Sequence, residues 1–284
     1  MNHGIYQNQT IILTSKHRKA EAIAPPLQQE LGVSLLELAL DTDALGTFSG
    51  EIERIGTAIE CAKLKCEWGL REHDGQLGIA SEGSFGPHPS LPYLKADLEL
   101  LLFMDLIRGF QLEIMHVSTQ TNYAMKSIRD FEELEEFARD SKFPSHALIV
   151  RPNQWNDPSI LYKGIQTIEA LEEAFRISRN HSADRRVWVE TDMRAHYNPT
   201  RMQVIREASQ KLATRLATTC PQCCNPGWGS TCIERGLPCG WCQTPTELAR
   251  YEVWCCPKCH FEQRNPRSDG RTTADPGNCP RCNP

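Results

Sequence analysis

Eleven of the thirteen cysteines lie after residue 219, and eight of them form four Cys-x-x-Cys pairs: Cys220 with Cys223, Cys239 with Cys242, Cys256 with Cys259, and Cys279 with Cys282. Zn²⁺ prefers four thiolates at tetrahedral corners, and a CxxC turn presents two sulfurs about one coordination edge apart. Fifteen residues separate the first two pairs and nineteen the last two, both within the range of four-Cys zinc sites. Pro and Gly in CPQC, CGWC and CPKC favour tight turns. Two pairing orders fit equally: sequential ribbons joining the first pair to the second, or an interleaved cross-brace joining the first to the third. Cys224, Cys255 and His260 adjoin the pairs and could replace a neighbour as ligand, whereas Cys232 reads as a spare. A closed four-thiolate site leaves no position for water or substrate, so two zinc ions are expected to fold the tail rather than to catalyse. A thioredoxin-like redox pair would need a βαβ surround, which the tail lacks.

The preceding residues carry groupings suited to phosphate chemistry. Cleaving a pyrophosphate bond needs carboxylates to hold Mg²⁺, cations to neutralise phosphate oxygens and a positioned water. Glu51, Glu53, Glu60 and Glu82 could supply the carboxylates, and Lys16, Lys19 and Lys65 the cations. Glu60 and Lys65 read equally well as solvated helix residues. Glycines in ASEGSFGP permit close backbone approach and an amide nest for an anion. In ETDMRAHYNPTR, Arg194 and Arg201 could clamp an anion while Asp192 or Glu190 orients them or binds metal, with Arg151 and Lys163 joining from nearby segments. An ion-pair network that merely fixes the loop is the competing reading. His88, between two prolines, could act as a general acid or base, or simply stiffen a turn. Cys61 and Cys66 read as buried helix thiols.

The elements that must position these groups follow from patterning. Strands are expected near Thr10 to Thr14, Val33 to Leu38, Leu77 to Ala80, Leu98 to Asp105, Leu112 to Ser118, His146 to Arg151 and Val187 to Thr191. Apolar residues at three-to-four spacing predict helices over Lys19 to Leu31, Ile52 to Leu70, Asp130 to Asp140, Thr167 to Ser178 and Thr200 to Ala217, the last capped by Asn198 with Pro199 at its first position. The alternation predicts an α/β domain with flanking helices, and the hairpin around Arg108 and Gly109 makes its sheet mixed. The expected division is an α/β domain over 1–217 and a small four-CxxC zinc module over 218–284. The loops TSKHRK, GTFSGEIER, ASEGSFGPHP, VRPN and ETDMRAHYNPTR are the expected places for chemistry.

Composition narrows the partners. A net charge of −5 gives no global reason to expect nucleic acid or an acidic membrane. From Cys220 onward seven Lys/Arg face six Asp/Glu, a balance of +1, which is weak for a nucleic-acid module. The absence of a long apolar run or an N-terminal export signal predicts a cytoplasmic protein without a membrane span.

Taken together, GTFSGEIER, IASEGSFGPHPS, LIVRPN, WVETDMRAHYNPTRM, GLPCGWC and ADPGNCPRCNP resemble a bacterial family, well represented in cyanobacteria, known only as a domain of unknown function. A second resemblance is shorter. ILTSKHRKAEAI is similar to the opening strand, phosphate loop and helix of the inosine-triphosphate pyrophosphatase fold, with Thr14 and Lys19 in place and Ser15 where that family has Asn. TAIECAKLKC is similar to that fold's TFEENAxxKA helix through Thr57, Glu60, Ala62 and Lys65, with Cys61 replacing Asn. IASEGSFG stands where that family has an acidic DDSG turn, so that Glu82 replaces an aspartate. This resemblance implies a Mg²⁺-dependent hydrolase of a phosphorylated small molecule or nucleotide. The alternative is a non-enzymatic anion-binding protein whose zinc module docks a protein or nucleic-acid partner.

Overall fold

The computed structural model describes residues 4–41, 56–154 and 159–284. GTFSGEIER, with Glu51 and Glu53, lies outside the described residues. The first sheet orders its strands β2-β1-β3-β4-β5, where β1 is Thr10–Thr14, β2 Ser34–Leu38, β3 Leu77–Pro87, β4 Lys95–Asp105 and β5 Phe110–Ser118. β1 runs parallel to β2 and β3, while β3, β4 and β5 are antiparallel, so the sheet is mixed. The β4–β5 turn is the expected hairpin, with Gly109 taking the left-handed backbone that a tight turn requires.

Helices cover both faces because the strands are apolar on both. Helix α1 (Ala20–Leu31) and the long α5 (Pro199–Ala217) pack Ile23, Leu27, Ile205, Leu212 and Leu216 against Ile11, Leu13, Ile79, Leu101 and Phe103. Helix α2 (Ala58–Glu72) covers the opposite face with Ala62, Cys66 and Leu70 against Ile12, Ala80 and Leu102. It lies very close: a Cβ on Gly69 would fall 2.0 Å from Thr14 Oγ1. Helix α1 contains Pro25 and Pro26, and the missing Pro25 amide frees the Glu21 carbonyl, which instead accepts from Arg206 Nη2 of α5 at 3.3 Å.

A second, wholly antiparallel sheet has the order β6-β9-β7-β8, with β6 Met125–Ile128, β7 Leu148–Pro152, β8 Tyr162–Ile165 and β9 Val187–Thr191. Its core is closed by α3 (Phe131–Asp140) and α4 (Ile168–Asn180) through Leu134, Phe137, Leu171 and Phe175. The described residues of 1–217 thus hold two sheets with separate cores. A three-stranded antiparallel sheet follows α5: β10 Gly229–Arg235, β11 Ala249–Cys255 and β12 Glu262–Pro266.

Among the described residues, no helix is long and apolar enough to cross a membrane.

Candidate functional site

The C-terminal cysteines assemble into two groups, Cys220, Cys223, Cys256 and Cys259 in one, and Cys239, Cys242, Cys279 and Cys282 in the other, with all four sulfurs of each group within 4.8 Å of one another. The first pair therefore joins the third and the second joins the fourth, which is the interleaved cross-brace. A zinc ion with Zn–S bonds of about 2.3 Å sets tetrahedral S···S edges of about 3.8 Å. The observed separations are 3.8 Å for Cys220–Cys259, 3.6 Å for Cys223–Cys256, 3.9 Å for Cys239–Cys282 and 3.6 Å for Cys242–Cys279. These are far beyond a disulfide bond of about 2.05 Å, so each group fits a zinc ion.

The chain repeats one local device to build these sites. Cys220, Cys239 and Cys256 each accept at the carbonyl from the amide four residues on, and each sulfur accepts from the amide two residues on. The residue after each of these three pairs, Cys224, Gln243 or His260, has a left-handed backbone with φ near +60°. That position closes the turn, and neither Cys224 nor His260 joins a cluster; Cys255 and Cys232 also stay outside. The sheet β10-β11-β12 separates the two clusters, and the module is held to α5 by Arg215, which donates to Gly227 O at 3.0 and 2.7 Å and to Ser230 O at 2.9 Å.

A second cluster lies near the carboxyl end of β1. Lys19 is buried, and its Nζ donates to Ser81 Oγ on β3 at 2.7 Å. The next residue of β3, Glu82, faces α2 and pairs with Lys65 at 2.5 Å, their side chains 8% and 14% exposed. On the α1/α5 side, Arg201 Nε meets Glu99 Oε1 at 2.6 Å with both side chains fully buried, and Arg201 Nη1 donates to Met193 O at 2.5 Å. Gly83 is required beneath them, because a Cβ there would fall 2.2 Å from Arg201 Nη2. Asp97 sits two residues before Glu99 on the same face of β4, fully buried, and neither of its oxygens receives a donor. Burial, reinforced by the Glu99 charge, pushes the Asp97 carboxyl up to about 8, so it holds a proton at neutral pH and can share it with Glu99. Burial and the nearby Arg201 cation push the Lys19 ammonium down to about 8.

The expected site residues separate accordingly. Lys19 and Lys65 bond two successive residues of β3, Ser81 and Glu82, from its two faces. Glu60 does not join them: its carboxylate accepts from Thr57 N and Oγ1 at 2.8 and 2.9 Å, as the N3 member of the α2 capping box. His88 stands in the β3–β4 turn, where Nδ1 accepts from the amides of Ser90 and Leu91. Six strand steps, about 20 Å at ~3.3 Å per residue, separate it from Glu82, so it is a turn residue. ASEGSFGP is paired strand from end to end rather than an anion-binding loop. The Lys19 and Ala20 amides at the start of α1 donate to the Glu37 carboxylate.

ETDMRAHYNPTR forms the ion-pair network rather than an open clamp. Asp192 is fully buried, accepting from Arg194 Nη2 at 2.6 Å and from Gly164 N at 3.0 Å. Arg194 also stacks over the Tyr197 ring at 4.6 Å. Arg151 lies over Trp188 at 5.3 Å, and Lys163 belongs to β8 beside Gly164. Asp97, Glu99 and Ser81 were not anticipated. Two acids two residues apart in the otherwise apolar run ADLELLLF were the available signal.

A family model for a domain of unknown function, DUF6671, matches residues 65–284, well over half of the chain. The chain belongs to the DUF6671 family. Among curated proteins none matches it. The DUF6671 match takes in both cysteine clusters and every residue of the buried cluster except Lys19.

A Mg²⁺ site is not formed in the same way as the zinc sites. Among the described residues, no set of three or more carboxylates or histidines brings its ligand atoms within 4.8 Å. Glu60 is committed to its cap and Glu82 to Lys65, so the described residues do not fit a preformed Mg²⁺ centre.

Proposed function

We propose that the α/β region binds a phosphorylated small molecule of the nucleotide class at the Lys65–Glu82 pair, above the buried Lys19. The observation that carries this reading is that Lys19, just before α1, and Lys65 of α2 bond the successive β3 residues Ser81 and Glu82 from either face of the strand, beside the carboxyl end of parallel strand β1. In open α/β sheets ligands bind outside the carboxyl ends of such strands. A phosphate entering there draws Lys65 away from Glu82 and gains a charge-assisted contact. Glu82 then stands beside the bound phosphate as the base that takes a proton from water attacking phosphorus in a phosphoanhydride hydrolysis. No step of this reading passes through a metal ion.

A second reading, binding without turnover, is favoured by one observation: Glu60 serves the helix cap rather than the site. Under both readings the zinc ions are structural, since four sulfurs close each site. Each Zn²⁺ with four thiolates carries −2. Two such centres take the module from +1 to about −3, so a protein surface suits it better as partner than nucleic acid does.

The test is calorimetric titration of zinc-loaded protein with ATP, GTP and pyrophosphate, with and without Mg²⁺, alongside assays of phosphate and pyrophosphate release. Binding that weakens at least tenfold in Lys65→Met supports the site, and release abolished in Glu82→Gln supports hydrolysis. Binding with no release selects the second reading. Absence of binding by all three probes ends both.

A further inference from the structure

Away from the Lys65–Glu82 pair, a cleft of about 360 Å³ opens between the start of α1 and the first turns of α5. Its polar lining is cationic: Arg18 from the β1–α1 loop, Arg206 and Gln203 from α5, and His196 from the short 3-10 turn Ala195–Tyr197, with Glu21 as the one acid among the described residues. Met202 supplies an apolar wall. Its volume falls in the small-molecule range.

Three features hold this cleft in shape. Arg18 has a left-handed backbone with φ of 55°, a conformation that side-chain-bearing residues adopt at a cost, and it forms the start of the cleft wall. The His17 and His196 rings stack with centroids 5.2 Å apart and 22° between planes, tying the β1–α1 loop to the 3-10 turn. Arg206 is anchored through one nitrogen to the Glu21 carbonyl, which leaves the rest of its planar donor fork available. Glu21 is paired with Arg18 at 2.5 Å, so it offsets one guanidinium and leaves Arg206 as net positive charge. Burial, reinforced by the nearby Arg194 and Arg18 cations, disfavours the protonated form of His196. The lining is therefore short of negative charge.

From this arrangement we infer that the cleft is a second anion site, taking the dianionic phosphate group of a small phosphomonoester or of free phosphate, with Arg206 and Arg18 as its cationic partners and Gln203 and His196 as neutral donors. A guanidinium fork matches two phosphate oxygens at once. A phosphate group here would also give Arg18 a partner better matched than the partly exposed Glu21 carboxylate. The site is independent of the Lys65–Glu82 reading, since it shares no residue with it.

The experiment is titration of the full-length, zinc-loaded protein with inorganic phosphate and with phenyl phosphate, following the His196 ring protons by NMR and the heat by calorimetry. Both probes are expected to bind and to shift the His196 signals, and Arg206→Gln and Arg18→Gln are each expected to weaken, by about tenfold, the binding read at those signals. Because Arg206 also supports α1, each variant is checked by thermal melting, and Arg18→Gln, on an exposed side chain, keeps the test open if Arg206→Gln fails to fold. Phosphate binding at the His196 signals that survives both arginine substitutions, binding that leaves the His196 signals unmoved, or no binding of either probe overturns the inference.

Discussion

Replacing Arg201 by Met should be among the most damaging single changes in the chain. Arg201 belongs to α5, its Nε pairs with Glu99 of β4 in the first sheet, and its Nη1 binds the Met193 carbonyl just past β9 of the second sheet. Its guanidinium also lies 5.1 Å from the Phe85 ring centre. Both members of the ion pair are fully buried, so the substitution leaves Glu99 charged, unpaired and dry beside Asp97. Removing one partner of a buried pair costs about 3–5 kcal/mol. At about 2–4 °C per kcal/mol for a region of this size, the melting temperature should fall by roughly 6–20 °C. The loss should shrink in acid, because Glu99 in the variant is relieved by taking up a proton. The assay is urea and thermal unfolding at pH 5 and pH 8, followed by tryptophan fluorescence. The double substitution Glu99→Met with Arg201→Met removes both charges and should recover at least half of the loss. A single-variant loss below about 1 kcal/mol, or a double variant as damaged as the two singles added, would refute the assignment of Arg201 as the pin between the two sheets.

Other outcomes follow from the same geometry. Cys256→Ser and Cys282→Ser should each lower bound zinc from two ions per chain to one, measured by metal analysis after dialysis, because each removes a ligand from a different cluster. Asp97→Asn should flatten part of the pH dependence of stability. The folded carboxyl titrates near 8, far above its unfolded value, so its contribution is complete below about pH 4 and is lost as pH rises toward 8. The difference between wild type and variant should change over that window by no more than about 1.4 kcal/mol per pH unit. Gly83→Ala should destabilise by overpacking, since its Cβ would meet Arg201 and Glu99, whereas the same change at Gly86, which has open space, should be nearly silent in a melt.

Local chemistry made much of this architecture readable. Asn198 followed by Pro199 marked the start of α5, and the Asn198 side chain does accept from the Arg201 amide. The eight metal-site cysteines were legible because thiolate pairs at CxxC spacing have few other uses. Their cross-brace was not, since both pairing orders satisfy the same spacings, and the choice depends on how β10 and β11 place the knuckles in space. The strands β6 and β8, of four residues each, are too short to carry a period. ASEGSFGP reads as a loop by its glycines, yet Gly83 is strand because Arg201, over a hundred residues away, needs the space a side chain would fill. Arg201 itself looked like a ligand clamp for a related reason: sequence displays a charge but not the buried acid of β4 that neutralises it.

Helix α5 links these separate features mechanically. Its first turn carries Arg201 into the buried cluster, and its last turn carries Arg215 to the carbonyls of Gly227 and Ser230, just beyond the first cysteine knuckle. Gly227 N in turn donates to the Arg215 carbonyl, so the helix end and the knuckle cap one another. Zinc bound at the Cys220 cluster would thus hold a fixed point for α5, and the helix packs along α1, β4 and β5 over its length. Stripping zinc should therefore loosen amide protection first in the module, next in the last turns of α5, and least around Arg201, where the ion pair and the Met193 carbonyl hold the helix independently. Hydrogen exchange on chelator-treated protein measures that order. Exchange that rises first at Arg201 would mean that the buried cluster, and not the metal, is the weaker anchor.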